Sequence, residues 1–159
     1  MNFKILKNIT LVIFATLVLS ACATKKAETP SKMQGDVYTG TETVEYLAKG
    51  VPDRVFFATN ESILTTAARD TLRKQAAWMR KNSSLSFVVE GHADERGTRE
   101  YNLALGERRA NSAKDYLMTY GISGNRLSVI SYGKERPVNS GSNPLAWSQN
   151  RRSVTVKAN

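Results

Sequence analysis

The sequence predicts an α/β (α+β) two-layer sandwich: a mixed four-stranded sheet with two long helices on one face. Three observations predict it. Two long segments, about 65–81 and 99–120, place apolar residues at helical spacing. Four short runs of β-branched and aromatic residues stand around them, near 54–58, 85–90, 127–132 and 152–156. The resulting order is β-α-β-α-β-(short α)-β, and long helical connections favour parallel crossovers packed on one sheet face. The last connection is shorter, so the final strand is expected to pair antiparallel.

Each element has a local reason. In the first strand, Val55 and Phe57 share one face. Thr59 to Ser62 form a loop. The first helix carries its apolar stripe on Leu64, Ala68, Leu72, Ala76 and Met79, with Thr65 or Thr66 as the cap. The second strand points Phe87 and Val89 one way and Val88 the other. The second helix starts after Thr98, a good N-cap, and stops before Gly121, where a left-handed backbone costs least. A third strand covers 127–132, and a turn-rich loop with Pro137 and Gly141 follows. A short helix is expected over 143–150, and a last strand over 152–156 with Val154 and Val156 inward. There is no internal repeat.

The domain limits are 1–21, 22–50 and 51–159. The first segment is an export signal: Lys4 and Lys7 precede an apolar run from Ile9 to Leu19, too short for a spanning helix of about 20 residues. The tetrad Leu19-Ser20-Ala21-Cys22 resembles the lipobox of bacterial lipoproteins, which implies diacylglycerol on Cys22, the single cysteine. Ala23 follows; in many Gram-negative bacteria an Asp there resembles an inner-membrane retention signal, so its absence favours the outer membrane. Residues 23–50 are polar and weakly periodic and read as a tether, with a short helical turn expected over 43–47.

The net charge is +9, of which the signal carries two. A basic balance fits nucleic acid, anionic membrane or another acidic polymer. Export, and the lack of aromatic residues interleaved with the basic ones, argue against nucleic acid. No nucleophile–base pair is visible, which weighs against a hydrolase of the envelope, the alternative reading. A flagellar stator of similar fold would need a true spanning helix. No cofactor is implied. His92 with Asp94 and Glu95 lacks a second His and a wider ligand set, so it reads as structural and no metal site is expected.

The stretch Val89-Glu90-Gly91-His92-Ala93-Asp94-Glu95-Arg96-Gly97-Thr98, then Glu100-Tyr101-Asn102 and Leu105-Gly106-Glu107-Arg108-Arg109-Ala110, resembles the C-terminal domain of outer membrane protein A. Val55-Phe56-Phe57, Ser131-Tyr132-Gly133 and Asn150-Arg151-Arg152 extend the match over about 51–157. It is nearest to the lipoprotein version of that family, the peptidoglycan-associated lipoproteins (Pal). The resemblance implies a protein that is not an enzyme, held by lipid at the periplasmic face of the outer membrane. It implies non-covalent binding of peptidoglycan through diaminopimelate, and partnership with the Tol proteins TolB and TolA.

Diaminopimelate presents a carboxylate beside an ammonium. Arg109 is then the natural carboxylate receptor and Asp94 the natural ammonium receptor, and the two are expected to pair when no ligand is bound. Asn102 lies seven residues before Arg109, nearly two helical turns, so both face one side, with Leu105 walling the pocket between them. Backbone N–H groups near Ala93 and the helix start at Thr98 are further carboxylate donors. Asn60 is expected at the same rim, where many family members carry Asp. Tyr101 reads as core or rim, Arg108 as surface, and Trp147 as packed over the sheet edge. Arg151 reads as a buttress of the pocket from the last strand and Arg152 as facing out, with a plain surface charge the alternative for either.

Overall fold

A computed structural model describes residues 33–158 of the chain. The expected signal over 1–21, the lipidation site Cys22 and the start of the tether lie outside the described residues.

The described chain opens with two small antiparallel hairpins: β1 (Met33–Gln34) with β2 (Val37–Tyr38), and β3 (Tyr46–Ala48) with β4 (Val51–Pro52). This corrects the expectation of a tether running to Gly50 and of a helical turn over 43–47. Residues 33–50 pack on the domain. Tyr38 is buried edge-on against Phe56 with ring centroids 4.8 Å apart, and Leu47 enters the main core. Strands of two or three residues leave no periodicity to read.

β5 (Arg54–Phe56) leads to α1 (Thr66–Lys81). The Thr65 side chain caps α1 by accepting from Ala68 N at 3.2 Å. Next come β6 (Phe87–His92) and α2 (Arg99–Thr119), capped by Thr98 through Tyr101 N at 3.2 Å. Gly121 follows with φ +81, as expected for the helix stop. A 3-10 turn then enters β7 (Leu127–Gly133). α3 (Pro144–Asn150) is capped by Asn143, and β8 (Arg152–Lys157) closes the sheet.

The sheet order is β5-β8-β6-β7. β6 and β7 are parallel, while β8 runs antiparallel between β5 and β6. The last strand therefore sits inside the sheet and separates the first two main strands. The register also corrects its facing. Ser153 lies opposite Val55, whose side chain is in the core beneath the helices, so Ser153 and Thr155 face the helices and Val154 and Val156 face away. Thr155 Oγ1 hydrogen-bonds Gln75 Oε1 at 2.9 Å, and Gln75 Nε2 donates to Pro52 O at 2.8 Å. A buried glutamine thus staples α1 to the sheet. The apolar core lies between this face and the two long helices: Val55, Phe57, Phe87, Val89 and Leu127 meet Leu72, Met79, Ala110 and Leu117.

One close approach sets where α2 lies. A Cβ on Gly91 would overlap the Gly106 carbonyl, and a Cβ on Gly106 would sit 2.9 Å from Gly91 O. Gly106 is inside a helix, where glycine costs about 1 kcal/mol relative to alanine, and this contact is its compensation. Gly91→Ala is therefore expected to destabilise the fold by about 1–3 kcal/mol, measured as a lowered urea midpoint; unchanged stability would show that α2 is not held at this distance.

Candidate functional site

The site gathers at the ends of β5 and β6, where four loops meet. Arg151, at the α3–β8 junction, and Phe57 bond reciprocally: Phe57 N donates to Arg151 O at 2.9 Å, and Arg151 Nε donates to Phe57 O at 3.1 Å. Ala93 N donates to Gly133 O at 2.8 Å, which holds the end of β6 to β7. Beyond these anchors, Asp94 turns the chain toward α2.

The Asp94 carboxylate is almost fully buried and bound by two guanidiniums. Arg96 approaches with Nε 3.1 Å from Oδ1 and Nη2 2.7 Å from Oδ2, and its backbone N adds a third bond at 3.1 Å. Arg151 Nη1 donates to Oδ2 at 3.2 Å. Burial disfavours the Asp94 charge, but the bonds from Arg96 and Arg151 outweigh it and hold the carboxyl below its ordinary range. Arg151 also donates through Nη2 to the Asp36 carbonyl, and its Nη2 lies 3.9 Å from the Asp36 carboxylate. Asp36 Oδ2 accepts from Thr59 N at 2.6 Å, which lowers its own pKa. The β1–β2 turn thus places a second acid near the rim.

Arg109 has no solvent exposure. Its Nε donates to Glu61 O at 2.8 Å, Nη1 to His92 O at 2.9 Å, and Nη2 to Ala58 O at 3.0 Å. The expected Asp94–Arg109 pair is thus absent: Asp94 takes Arg96 and Arg151, and Arg109 takes carbonyls. Burial, reinforced by the Arg151 charge, lowers its pKa to about 10, so it remains a cation. Asn102, also buried, does face the same side as Arg109. Its Nδ2 donates to Arg96 O at 2.8 Å and so shapes the Asp94 loop rather than the open surface. Leu105 and Ala93 are buried too. Leu105 does not wall the open cleft as expected, and the Ala93 N–H is spent on Gly133 O rather than free for a carboxylate.

The open surface is a cleft of about 540 Å³ lined by Thr59, Asn60, Arg96, Gly97, Thr98 and Tyr101. Asn60 stands at this rim, as the sequence predicts, with φ +57. Among ordinary residues Asn and Asp tolerate that left-handed backbone best. Tyr101 is an exposed wall, not core. Arg96 stacks on Trp147, 4.4 Å from the ring centroid, and Trp147 Nε1 donates to Glu95 Oε1 at 2.8 Å. Lys134 Nζ donates to Gly97 O at 2.7 Å. Sequence reasoning missed Arg96 and Asp36. Arg96 had a signal, since it lies two residues from Asp94 and a fork that close can reach the carboxylate. Asp36 had none. Arg151 buttresses the site as expected, whereas Arg152, expected to face out, is buried on the other sheet face and does not reach the site.

His92 lies elsewhere, on the sheet face away from the helices, with Nε2 3.4 Å from Glu90 Oε2. Burial, then the Arg152 and Arg54 charges, lower its pKa to about 3, so its ring stays neutral. Among the described residues no group of three or more His, Cys, Asp and Glu can hold a metal ion.

The match to known proteins decides the family. Residues 56–151 match the model of the OmpA family. This chain belongs to that family. It is 44% identical to a peptidoglycan-associated lipoprotein of Mesorhizobium japonicum over 93% of this chain and 90% of the relative. The corresponding protein of Rhizobium meliloti is 45% identical over 93% and 86% of the two chains. The crystal structure of the peptidoglycan-associated lipoprotein from Burkholderia pseudomallei superposes with a TM-score of 0.65 at 32% identity, covering 67% of this chain and 90% of that one. The OmpA-like fold and the resemblance to Pal drawn from the sequence both stand.

Two outcomes follow from the buried groups. Arg109→Met orphans one buried carbonyl, of His92, and two part-buried ones, of Ala58 and Glu61. The buried one alone costs about 1–3 kcal/mol, whereas exposed Arg108→Ala should stay within about 0.5 kcal/mol of wild type. Denaturant unfolding of the pair checks this, and equal stabilities would contradict it. The second outcome concerns pH. His92 titrates at about 3 in the fold against an ordinary 6.5. Below pH 6.5 the unfolded chain gains a proton that the fold refuses, so stability falls as pH falls. His92 is the chain's one histidine. Between pH 7 and pH 5 wild type should lose stability relative to His92→Gln; parallel curves would refute the buried neutral ring.

Proposed function

We propose that this protein binds peptidoglycan non-covalently through the diaminopimelate of the stem peptide. The observation that carries the reading is the Asp94 carboxylate set among Arg96, Arg109 and Arg151 behind an open cleft. Carboxylate and guanidinium at one mouth complement a ligand that carries ammonium and carboxylate together. The names of its relatives point to the same polymer. In this reading Asp94 receives the ammonium. Arg109 holds the loops and adds positive field behind the carboxylate position, and Asn60 and Tyr101 flank the peptide. A few charged hydrogen bonds, less ordering costs, correspond to roughly micromolar affinity for one stem peptide. A polymeric wall raises the effective binding by multivalency.

The chain is further read as a lipoprotein anchored through acylated Cys22 at the periplasmic face of the outer membrane. There it links membrane to wall within the Tol system, with TolA and TolB as partners, in support of envelope integrity and cell division. It acts as a binding protein and not an enzyme. The buried, neutral His92 offers the cleft no general base, which counts against the hydrolase alternative.

Purified peptidoglycan should sediment the full-length protein from detergent, and Asp94→Ala should abolish this while remaining folded by circular dichroism. Retention of Asp94→Ala at the wild-type level would refute the site, and steady release of soluble wall fragments would point to an enzyme. In fractionated cells, Cys22→Ser should leave the outer membrane and lose palmitate labelling; persistent labelling would refute the anchor.

A further inference from the structure

Arg96 occupies the place that the reading above gives to the ligand's ammonium. It is a cation, it contacts both oxygens of Asp94, and it is the cleft wall that stands in front of that carboxylate. Unlike Arg151 and Arg109, its side chain is 42% exposed, against 3% for Arg151. Its remaining contacts are a stack on Trp147 and a long bond of 3.4 Å to Thr59 Oγ1. Both are compatible with rotation of the guanidinium about the long side chain, because stacking on a ring face tolerates sliding. The backbone beneath it is fixed independently: Asn102 Nδ2 donates to Arg96 O at 2.8 Å, and the Arg96 backbone N donates to Asp94 at 3.1 Å. The side chain can therefore leave Asp94 while the loop keeps its shape.

We propose that Arg96 is a latch which makes the site select zwitterions, because a ligand enters by exchanging ion pairs with the Arg96–Asp94 pair. The proposal rests on the peptidoglycan reading of the same cleft. An ammonium that displaces Arg96 from Asp94 leaves a guanidinium without its carboxylate, a cost that water offsets in part at this half-exposed position and a second ligand group offsets further. A carboxylate beside that ammonium supplies it and takes the released Arg96, still stacked on Trp147. A simple amine breaks one charged pair to make one and gains little. A simple carboxylate meets an arginine already neutralised by Asp94. The side chain of meso-diaminopimelate carries both groups on one carbon, and lysine in the same peptide position lacks the carboxylate. Arg96 thus distinguishes the two through the cost of leaving it unpaired.

The test is calorimetric titration of the detergent-solubilised full-length chain with two stem peptides, one carrying meso-diaminopimelate and one carrying lysine. Wild type is expected to prefer the diaminopimelate peptide by about tenfold or more, the equivalent of one charged hydrogen bond. Arg96→Ala should weaken the diaminopimelate peptide and at the same time strengthen the lysine peptide, because Asp94 is no longer occupied. Arg96→Lys should restore part of the preference. A residue that merely shaped the loop would weaken both peptides, and a simple contact would leave the lysine peptide unchanged; either result overturns the latch. If wild type binds neither peptide, the peptidoglycan reading fails and the latch fails with it. If wild type binds with preference and Arg96→Ala keeps the same ratio within twofold, only the latch fails.

Discussion

A single buried cation organises this end of the molecule. Arg109 is sealed from water inside α2 and spends its guanidinium on three carbonyls: Ala58 and Glu61 in the loop after β5, and His92 at the end of β6. A buried charge is costly unless its hydrogen-bonding capacity is met. Arginine suits the position because its planar fork donates in several directions at once and stays charged even with a lowered pKa. The two segments it ties carry or adjoin the cleft residues: Asn60 lies between two of its acceptors, and Asp94 follows the third by two residues. Arg109 thereby joins the loop after β5 to the end of β6, alongside the Phe57–Arg151, Ala93–Gly133 and Asn102–Arg96 bonds.

Around that clamp the charges are layered by depth. Arg109 is innermost, Arg151 and Asp94 are nearly buried, and Arg96 reaches solvent. Depth sets the work each can do. In the interior a guanidinium cannot move without leaving orphaned carbonyls, so Arg109 and Arg151 act as fixed fields. At the surface, screening makes the same interaction weak enough to exchange. Asp94 sits where the two regimes meet, held from behind by Arg151 and covered from in front by Arg96. The far face of the sheet carries a separate polar layer of Arg54, Glu90, His92 and Arg152, which burial keeps from sharing in the cleft's chemistry.

How legible each part was depended on how local its cause is. Both long helices were readable because their stripes and their caps, Thr65 and Thr98, are written within a few residues. The N-terminal hairpins were not, since strands this short gain their structure from what they touch: Tyr38 from Phe56, Leu47 from the core. The candidate site divides in the same way. Asp94, Asn60 and Arg109 were singled out by residue type and spacing, and all three come to one end of the sheet. Their partners were not readable. Arg109 satisfies itself on backbone oxygens that no side-chain pattern records, and Asp94 is reached by Arg151 from 57 positions away.

The sequence by itself determined the class of fold, the number of main strands, both long helices with their ends, and the small set of charged residues from which a site could be built. It did so because hydrophobic period, capping side chains and residue chemistry are properties of short stretches. Only the tertiary structure decided that β8 lies between β5 and β6, that Ser153 and Thr155 rather than Val154 and Val156 face the helices, and that residues 33–50 belong to the folded body. It also decided which guanidinium faces water. Register, burial and ion-pair choice arise from segments far apart in the chain competing for the same space, and that competition has no trace in any one of them.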